Sequence, residues 1–236
     1  MQGRPLIVAL DFETKQEVTS FLTRFPNENL FLKVGMELFY REGPRLIYEL
    51  KEQGHQLFLD LKLHDIPTTV KRAMSQLAKL EVDLVNVHAL GGVNMMIAAK
   101  EGLEAGTNMG KVAPPCIAVT QLTSTTPEML LHELDVQTKL DKHVIHLCDQ
   151  VSKAELAGVV CSALEVPVIQ EKFSSSFLTI TPGIRRQEDS TDDQARVVTP
   201  TKAKLLGSTG IVVGRGITRA KDPVTAYYHY LQEWGK

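Results

Sequence analysis

Leu57-Phe58-Leu59-Asp60-Leu61-Lys62-Leu63 is an apolar run broken by charge at alternate positions. Side chains of a strand point to opposite faces in turn, so Phe58, Asp60 and Lys62 share one face and Leu59, Leu61 and Leu63 the other. Leucines outward against helices and charges inward toward an axis describe a barrel strand better than an ordinary half-exposed one. Similar β-branched or apolar runs begin near Leu6, Phe31, Leu84, Cys116, Ala157, Phe177 and Gly210, giving eight in all. Helix-period stretches such as Pro44 to Gln53 and Pro67 to Leu80 fill most intervals. Strands alternating with helices imply right-handed βαβ units and a parallel sheet, and near-continuous apolarity implies cover on both faces. An open doubly wound sheet produces a similar string. Eight repeats with no ninth strand favour a closed (β/α)8 TIM barrel, an α/β fold, with residues 1–236 as a single domain.

The 236 residues are 43% hydrophobic and 23% charged, ordinary globular composition and too apolar for a disordered chain. Lys and Arg number 26 against 28 Asp and Glu, a net charge of −2 without a basic block, so nucleic acid is not an expected partner. Cys116, Cys148 and Cys161 are odd in number and lack C-x-x-C spacing, which suits buried thiols in a reducing cytoplasm. No signal peptide or membrane span is expected.

The charges at strand ends carry the functional reading. Alternation puts Asp11, at the end of the first strand, in line with Ile7 and Ala9, and Lys33 in line with Phe31 and Gly35. With Asp60 and Lys62, three successive strands aim charge at one spot, the carboxyl-terminal mouth where barrel active sites lie. A structural ion-pair network is the alternative, since buried charges must be paired wherever they occur. Asp65 follows directly, and Ile66-Pro67-Thr68-Thr69 opens a helix; Asp65, Thr68 or Thr69 could equally be its cap. Thr181-Pro182-Gly183-Ile184-Arg185 and Val213-Gly214-Arg215-Gly216-Ile217-Thr218 end the seventh and eighth strands, where barrels commonly hold phosphate. Gly214 permits close backbone approach and Arg215 offers a bidentate fork. The polar segment Gly183 to Thr199 reads as a mobile loop over the site. His143, His146 and Asp149 could share a helix face, but solvated helix histidines are commoner than metal ligands. His88 reads as a packed, hydrogen-bonded ring.

At Asp60-x-Lys62-x-x-Asp65-Ile66-Pro67-x-Thr69 the sequence resembles the orotidine 5'-phosphate decarboxylase family in its shorter bacterial form. The resemblance extends through Ala9-Leu10-Asp11, Lys33-Val34-Gly35, Thr120-Gln121-Leu122-Thr123-Ser124, the two phosphate-loop stretches and Asp193-Gln194-x-Arg196, in the family's order from end to end. It implies a (β/α)8 barrel, a homodimer with shared active sites, no metal or organic cofactor, and decarboxylation of orotidine 5'-phosphate to UMP and CO2, the last step of de novo pyrimidine synthesis. It further implies an alternating array of Lys33, Asp60 and Lys62 completed by Asp65 of the partner subunit, with Lys62 as proton donor. Asp11 would bind a ribose hydroxyl, Thr68 and Thr69 the ribose side across the dimer, and Thr123 with Ser124 the pyrimidine. Arg185, Gln194, Gly214 and Arg215 would hold the phosphate. Related Mg2+-dependent sugar-phosphate decarboxylases share D-x-K-x-x-D but carry an acidic residue where this chain has Lys33, which leaves a neutral cluster with little attraction for a divalent cation. A Schiff-base aldolase would need a neutral lysine, which flanking aspartates disfavour. A non-catalytic UMP-binding protein is the remaining alternative.

Overall fold

A computed structural model of the chain describes residues 4–187 and 197–235. Eight strands among them form a closed parallel barrel in sequence order: β1 (Leu6–Ala9), β2 (Phe31–Gly35), β3 (Gln56–Leu63), β4 (Leu84–His88), β5 (Cys116–Val119), β6 (Gly158–Val160), β7 (Leu178–Thr181) and β8 (Gly210–Val213), with β8 pairing back onto β1. The third strand starts one residue before the expected Leu57, and the sixth and seventh start one residue after Ala157 and Phe177.

Helices α1 (Lys15–Leu22), α2 (Met36–Glu52), α3 (Pro67–Ala78), α4 (Gly92–Gly106), α5 (Pro127–His132), α6 (Leu140–Lys153), α7 (Val166–Gln170), α8 (Pro200–Leu205), α9 (Arg215–Thr218) and α10 (Pro223–Trp234) surround it. Local chemistry sets many of their ends. Thr14 and Glu17 form a reciprocal capping box at α1, and the Asp222 carboxylate accepts from the backbone N–H groups of Val224 and Thr225 at α10. The helix expected from Pro44 begins earlier, at Met36, because a first segment runs into a kink at Gly43. No helix among the described residues is long and apolar enough to cross a membrane.

The alternation read from β3 recurs around the barrel and divides the core in two. Val8, Leu32, Leu59, Leu61 and Val85 face outward and pack beneath the helices. Ile7, Phe31, Phe58, Leu84, Ile117, Ile180 and Val212 fill the interior. This apolar plug fills the middle of the barrel and leaves a cavity at the carboxyl-terminal mouth. The helices α3 and α4 touch through their backbones: a Cβ added to Gly102 would lie 2.2 Å from the Lys71 carbonyl oxygen.

Candidate active site

A cavity of about 520 Å³ occupies the mouth, lined by Asp11, Lys33, Asp60, Lys62, Thr123, Ser124, Arg185, Gly214 and Arg215 among others. Nine of the residues expected at a site therefore share one space. Their charges form a chain of alternating sign. Lys33 Nζ lies 3.4 Å from Asp11 Oδ1 and 3.4 Å from Asp60 Oδ2, and Lys62 Nζ lies 2.7 Å from Asp60 Oδ1. Strand register explains the first links, since Ala9 pairs with Lys33 and Gly35 with Asp60, stepping each charge up the mouth from one strand to the next.

Lys62 arrives by a different route from the one its spacing suggests. Simple alternation fails there: its φ is 51°, in the left-handed region, and the register runs from Leu59–Val85 to Leu63–Val87. Asp60, Leu61 and Lys62 thus face the single residue Asn86 across the pair, a bulge that re-aims the lysine toward Asp60. Asn86, which no motif singled out, is fully buried. Its Nδ2 donates to Asp60 Oδ1 at 2.6 Å and its Oδ1 accepts the Lys62 backbone N–H at 2.8 Å. The signal was present in Leu84-Val85-Asn86-Val87-His88, where Asn86 shares the inward face with Leu84 and His88.

The charges hold one another ionised. Burial opposes ionisation of Asp60, but the Lys33 and Lys62 ammonium groups, with hydrogen bonds from Lys62 and Asn86, outweigh it and keep the carboxyl below its usual range. Burial likewise opposes the Lys33 charge, and Asp60 and Asp11 overcome it, so that its ammonium is held above the ordinary lysine value. His88 is pushed down to about 4 by burial, with His64 and Lys62 adding repulsion. Its Nδ1 accepts the Leu90 backbone N–H, and its ring stacks on His64. This bears out the packed, hydrogen-bonded reading.

The residues after β7 and β8 bring two arginines to the cavity. Arg185 is buried with Nη1 donating to the Ile184 carbonyl oxygen at 2.9 Å, and Arg215 stands at the start of α9. A Cβ on Gly214 would come within 2.9 Å of Asp11 Oδ2, so glycine just after β8 lets the Asp11 carboxylate keep this position beside the backbone. Arg219, one turn beyond Arg215, also lines the cavity and was not anticipated. Gln121 was missed too. Its Oε1 accepts from the Thr125 hydroxyl, while its buried Nε2 has no hydrogen-bond partner among the described residues.

Three expected residues stand apart from the cavity. Asp65, Thr68 and Thr69 are exposed at the entry to α3 and do not line it. None of them caps the helix: Ile66 occupies the cap position without a side-chain bond, and Asp65 Oδ1 accepts the adjacent Ile66 N–H. Gln194 and the middle of the Gly183 to Thr199 segment lie outside the described residues. The ends of that segment are joined, because Ile184 bridges Val198 and Arg185 N–H donates to the Val198 carbonyl. His143 is buried against the barrel rather than solvated. Among the described residues no group of three or more His, Cys, Asp or Glu side chains could hold a metal ion.

The profile of the orotidine 5'-phosphate decarboxylase / HUMPS family matches residues 4–230. The chain belongs to that family. It is 59% identical to the orotidine 5'-phosphate decarboxylase of Geobacillus sp. (strain WCH70), over 98% of this chain and 96% of the relative. The orotidine 5'-phosphate decarboxylase of Bacillus cereus (strain AH820) is 57% identical over 98% of each chain. The crystal structure of orotidine 5'-phosphate decarboxylase from Lactobacillus acidophilus superposes with a TM-score of 0.88 at 41% identity, covering 99% of this chain and all of that one. Within the family, the chain therefore groups with the decarboxylase enzymes, and the closed barrel is the architecture it shares with them.

Proposed function

We propose that the chain is a cytoplasmic homodimer that converts orotidine 5'-phosphate to UMP and CO2 without a metal or organic cofactor, in the last step of pyrimidine nucleotide synthesis. One observation carries the mechanism: two ammonium groups, Lys33 and Lys62, flank the buried Asp60 carboxylate in a cavity that Arg185 and Arg215 also line. Loss of CO2 from C6 of orotate breaks the C6–carboxyl bond and leaves its electron pair on C6, with little resonance relief. Stabilisation must then come from fixed charge aimed at that carbon. The Lys62 ammonium supplies the charge and gives its proton to C6, after which solvent reprotonates the amine. Asp60, held ionised, repels the departing carboxylate in the ground state, an electrostatic contribution that lessens as CO2 leaves.

Remote binding energy completes the account. Arg185, Arg215, Gly214 and Gln194 take the phosphate, Asp11 a ribose hydroxyl, and Thr123 with Ser124 the pyrimidine. The energy of those contacts is realised in the transition state rather than in tighter substrate binding. Asp65, Thr68 and Thr69, exposed and outside their own cavity, serve the partner subunit's site. The free, buried thiols of Cys116, Cys148 and Cys161 suit a reducing compartment.

Following the loss of orotidine 5'-phosphate absorbance with purified, EDTA-treated protein tests the reading. Turnover equal to that of untreated protein is expected. In Lys62→Ala the rate should fall by at least about 100 to 1,000-fold, since both the cation and the proton source are gone. Activity that vanishes on chelation and returns with Mg2+, or a Lys62→Ala enzyme keeping more than about a tenth of its turnover, would overturn it.

A further inference from the structure

We propose that Asn86 is a positioning residue of this site: its amide ties the Asp60 carboxylate to the backbone of Lys62, so that carboxylate and ammonium keep one separation during the reaction. The inference deepens the decarboxylase reading and rests on it.

The bulge in β3 creates the need. Three residues of β3 face Asn86 alone, so the Lys62 N–H loses its place in the strand ladder and requires another acceptor. Asn86 Oδ1 is that acceptor, at 2.8 Å, and it holds Lys62 at a φ of 51° that a lysine otherwise rarely adopts. The other end of the same amide donates to Asp60 Oδ1 at 2.6 Å, the oxygen that also receives Lys62 Nζ at 2.7 Å. One rigid, fully buried group therefore sets both where the Lys62 side chain starts and where its counter-ion stands.

A neutral amide in this orientation does both. An apolar residue of similar size leaves a backbone donor unpaired and removes a hydrogen bond to a buried charge. An aspartate can accept from Lys62 but, when ionised, cannot donate to Asp60. It would instead set two carboxylates against each other, which share a proton rather than both ionise. The charged groups facing this pair are Lys33 from β2 and Lys62 from β3, with Asp11 beyond Lys33, and the titratable ring of His88, which interacts with His64 and Lys62, follows on β4. A protonated aspartic acid at position 86 restores the pattern of the amide, donating to Asp60 and accepting from Lys62.

The test compares wild type, Asn86→Ala and Asn86→Asp on orotidine 5'-phosphate from about pH 6 to 9, alongside a carboxyl-carbon NMR titration of Asp60 assigned through Asp60→Asn. In Asn86→Ala, kcat should fall about tenfold to a hundredfold, the size of a hydrogen bond to a charge, with KM within about threefold because the phosphate wall is untouched. In Asn86→Asp, kcat relative to wild type at the same pH should rise as the pH falls, whereas the Asn86→Ala ratio should stay flat. The Asp60 titration should move upward in Asn86→Ala. The NMR arm reads the tie without catalysis, so it judges Asn86 even if wild type fails to turn over, an outcome that would sink the decarboxylase reading by itself. Asn86→Ala with kcat within about threefold of wild type, or an unmoved Asp60 titration, overturns the proposal. If Asn86→Ala does not fold, the isosteric Asn86→Asp decides alone: a kcat ratio independent of pH rejects the positioning role.

Discussion

His88 stands one inward position beyond Asn86 on β4, and its environment makes it a neutral imidazole. Burial and the neighbouring charges of His64 and Lys62 depress its proton affinity to about 4, and its Nδ1 is committed as an acceptor to Leu90 N–H. Protonation would abolish that acceptor. In the unfolded chain the ring titrates near 6.5, so between about pH 6.5 and 4 the unfolded state binds more protons than the fold. The stability this neutral ring contributes is complete above pH 6.5 and is lost progressively toward pH 4. His88→Gln should therefore flatten the acid side of the stability profile. The wild-type excess loss over that window should be about 1–2 kcal/mol, less than the full shift implies because the ring is partly exposed. Urea unfolding at a series of pH values measures it, and parallel profiles for the two proteins would refute it.

At the scale of elements, the pairing of α3 with α4 constrains the site from outside the barrel. Gly102 faces the Lys71 carbonyl, and Gly106 faces the Ser75 carbonyl, one turn further along both helices. Alanine at position 102 gains about 1 kcal/mol of helix propensity but puts a methyl 2.2 Å from a backbone oxygen that cannot swing aside. The helices must separate, and overpacking of this kind costs about 1–3 kcal/mol. With a backbone contact this short the upper part of that range applies, so Gly102→Ala should lower stability by about 1–2 kcal/mol net in urea unfolding despite the better helix former. A neutral or stabilised variant would mean that the two helices can part without loss. The expectation matters for function because α3 carries Thr68 and Thr69 at its first turn, and displacing it moves them.

For the whole molecule, the proposed dimer assigns Asp65 to the partner subunit's site. The residue is exposed, and its carboxylate accepts the N–H of the equally exposed Ile66. In a two-fold dimer with shared sites, a mixture of Asp65→Asn and Lys62→Ala subunits contains heterodimers in which one site has both changes and the other neither. After random exchange about half of the dimers are mixed, each with one intact site of two, so activity should recover to about a quarter of wild type. Confirmed exchange without recovered activity would mean that Asp65 acts within its own chain.

Alternation along strands made Asp11, Lys33 and Asp60 legible in the sequence, together with the closed barrel, because side-chain direction in a regular strand depends only on position. The terminal glycines and Arg185 and Arg215 were legible through the loops in which this fold gathers anions. Gln121 and Arg219 were not: Gln121 follows the inward Ile117 and Val119 just past β5 but carries no charge to draw notice, and Arg219 reaches the cavity from the end of α9, where period two does not apply. Lys62 was assigned to the right place by a rule it breaks: the bulge, not alternation, delivers its ammonium to Asp60. Asn86 lay on the expected face but carries no charge to draw notice, and its importance comes from a register shift between two strands. A register shift is a property of pairing, fixed by two segments some twenty-five residues apart finding each other. Local sequence determined which side chains point inward; only the tertiary structure decided which of them meet, and at what distance.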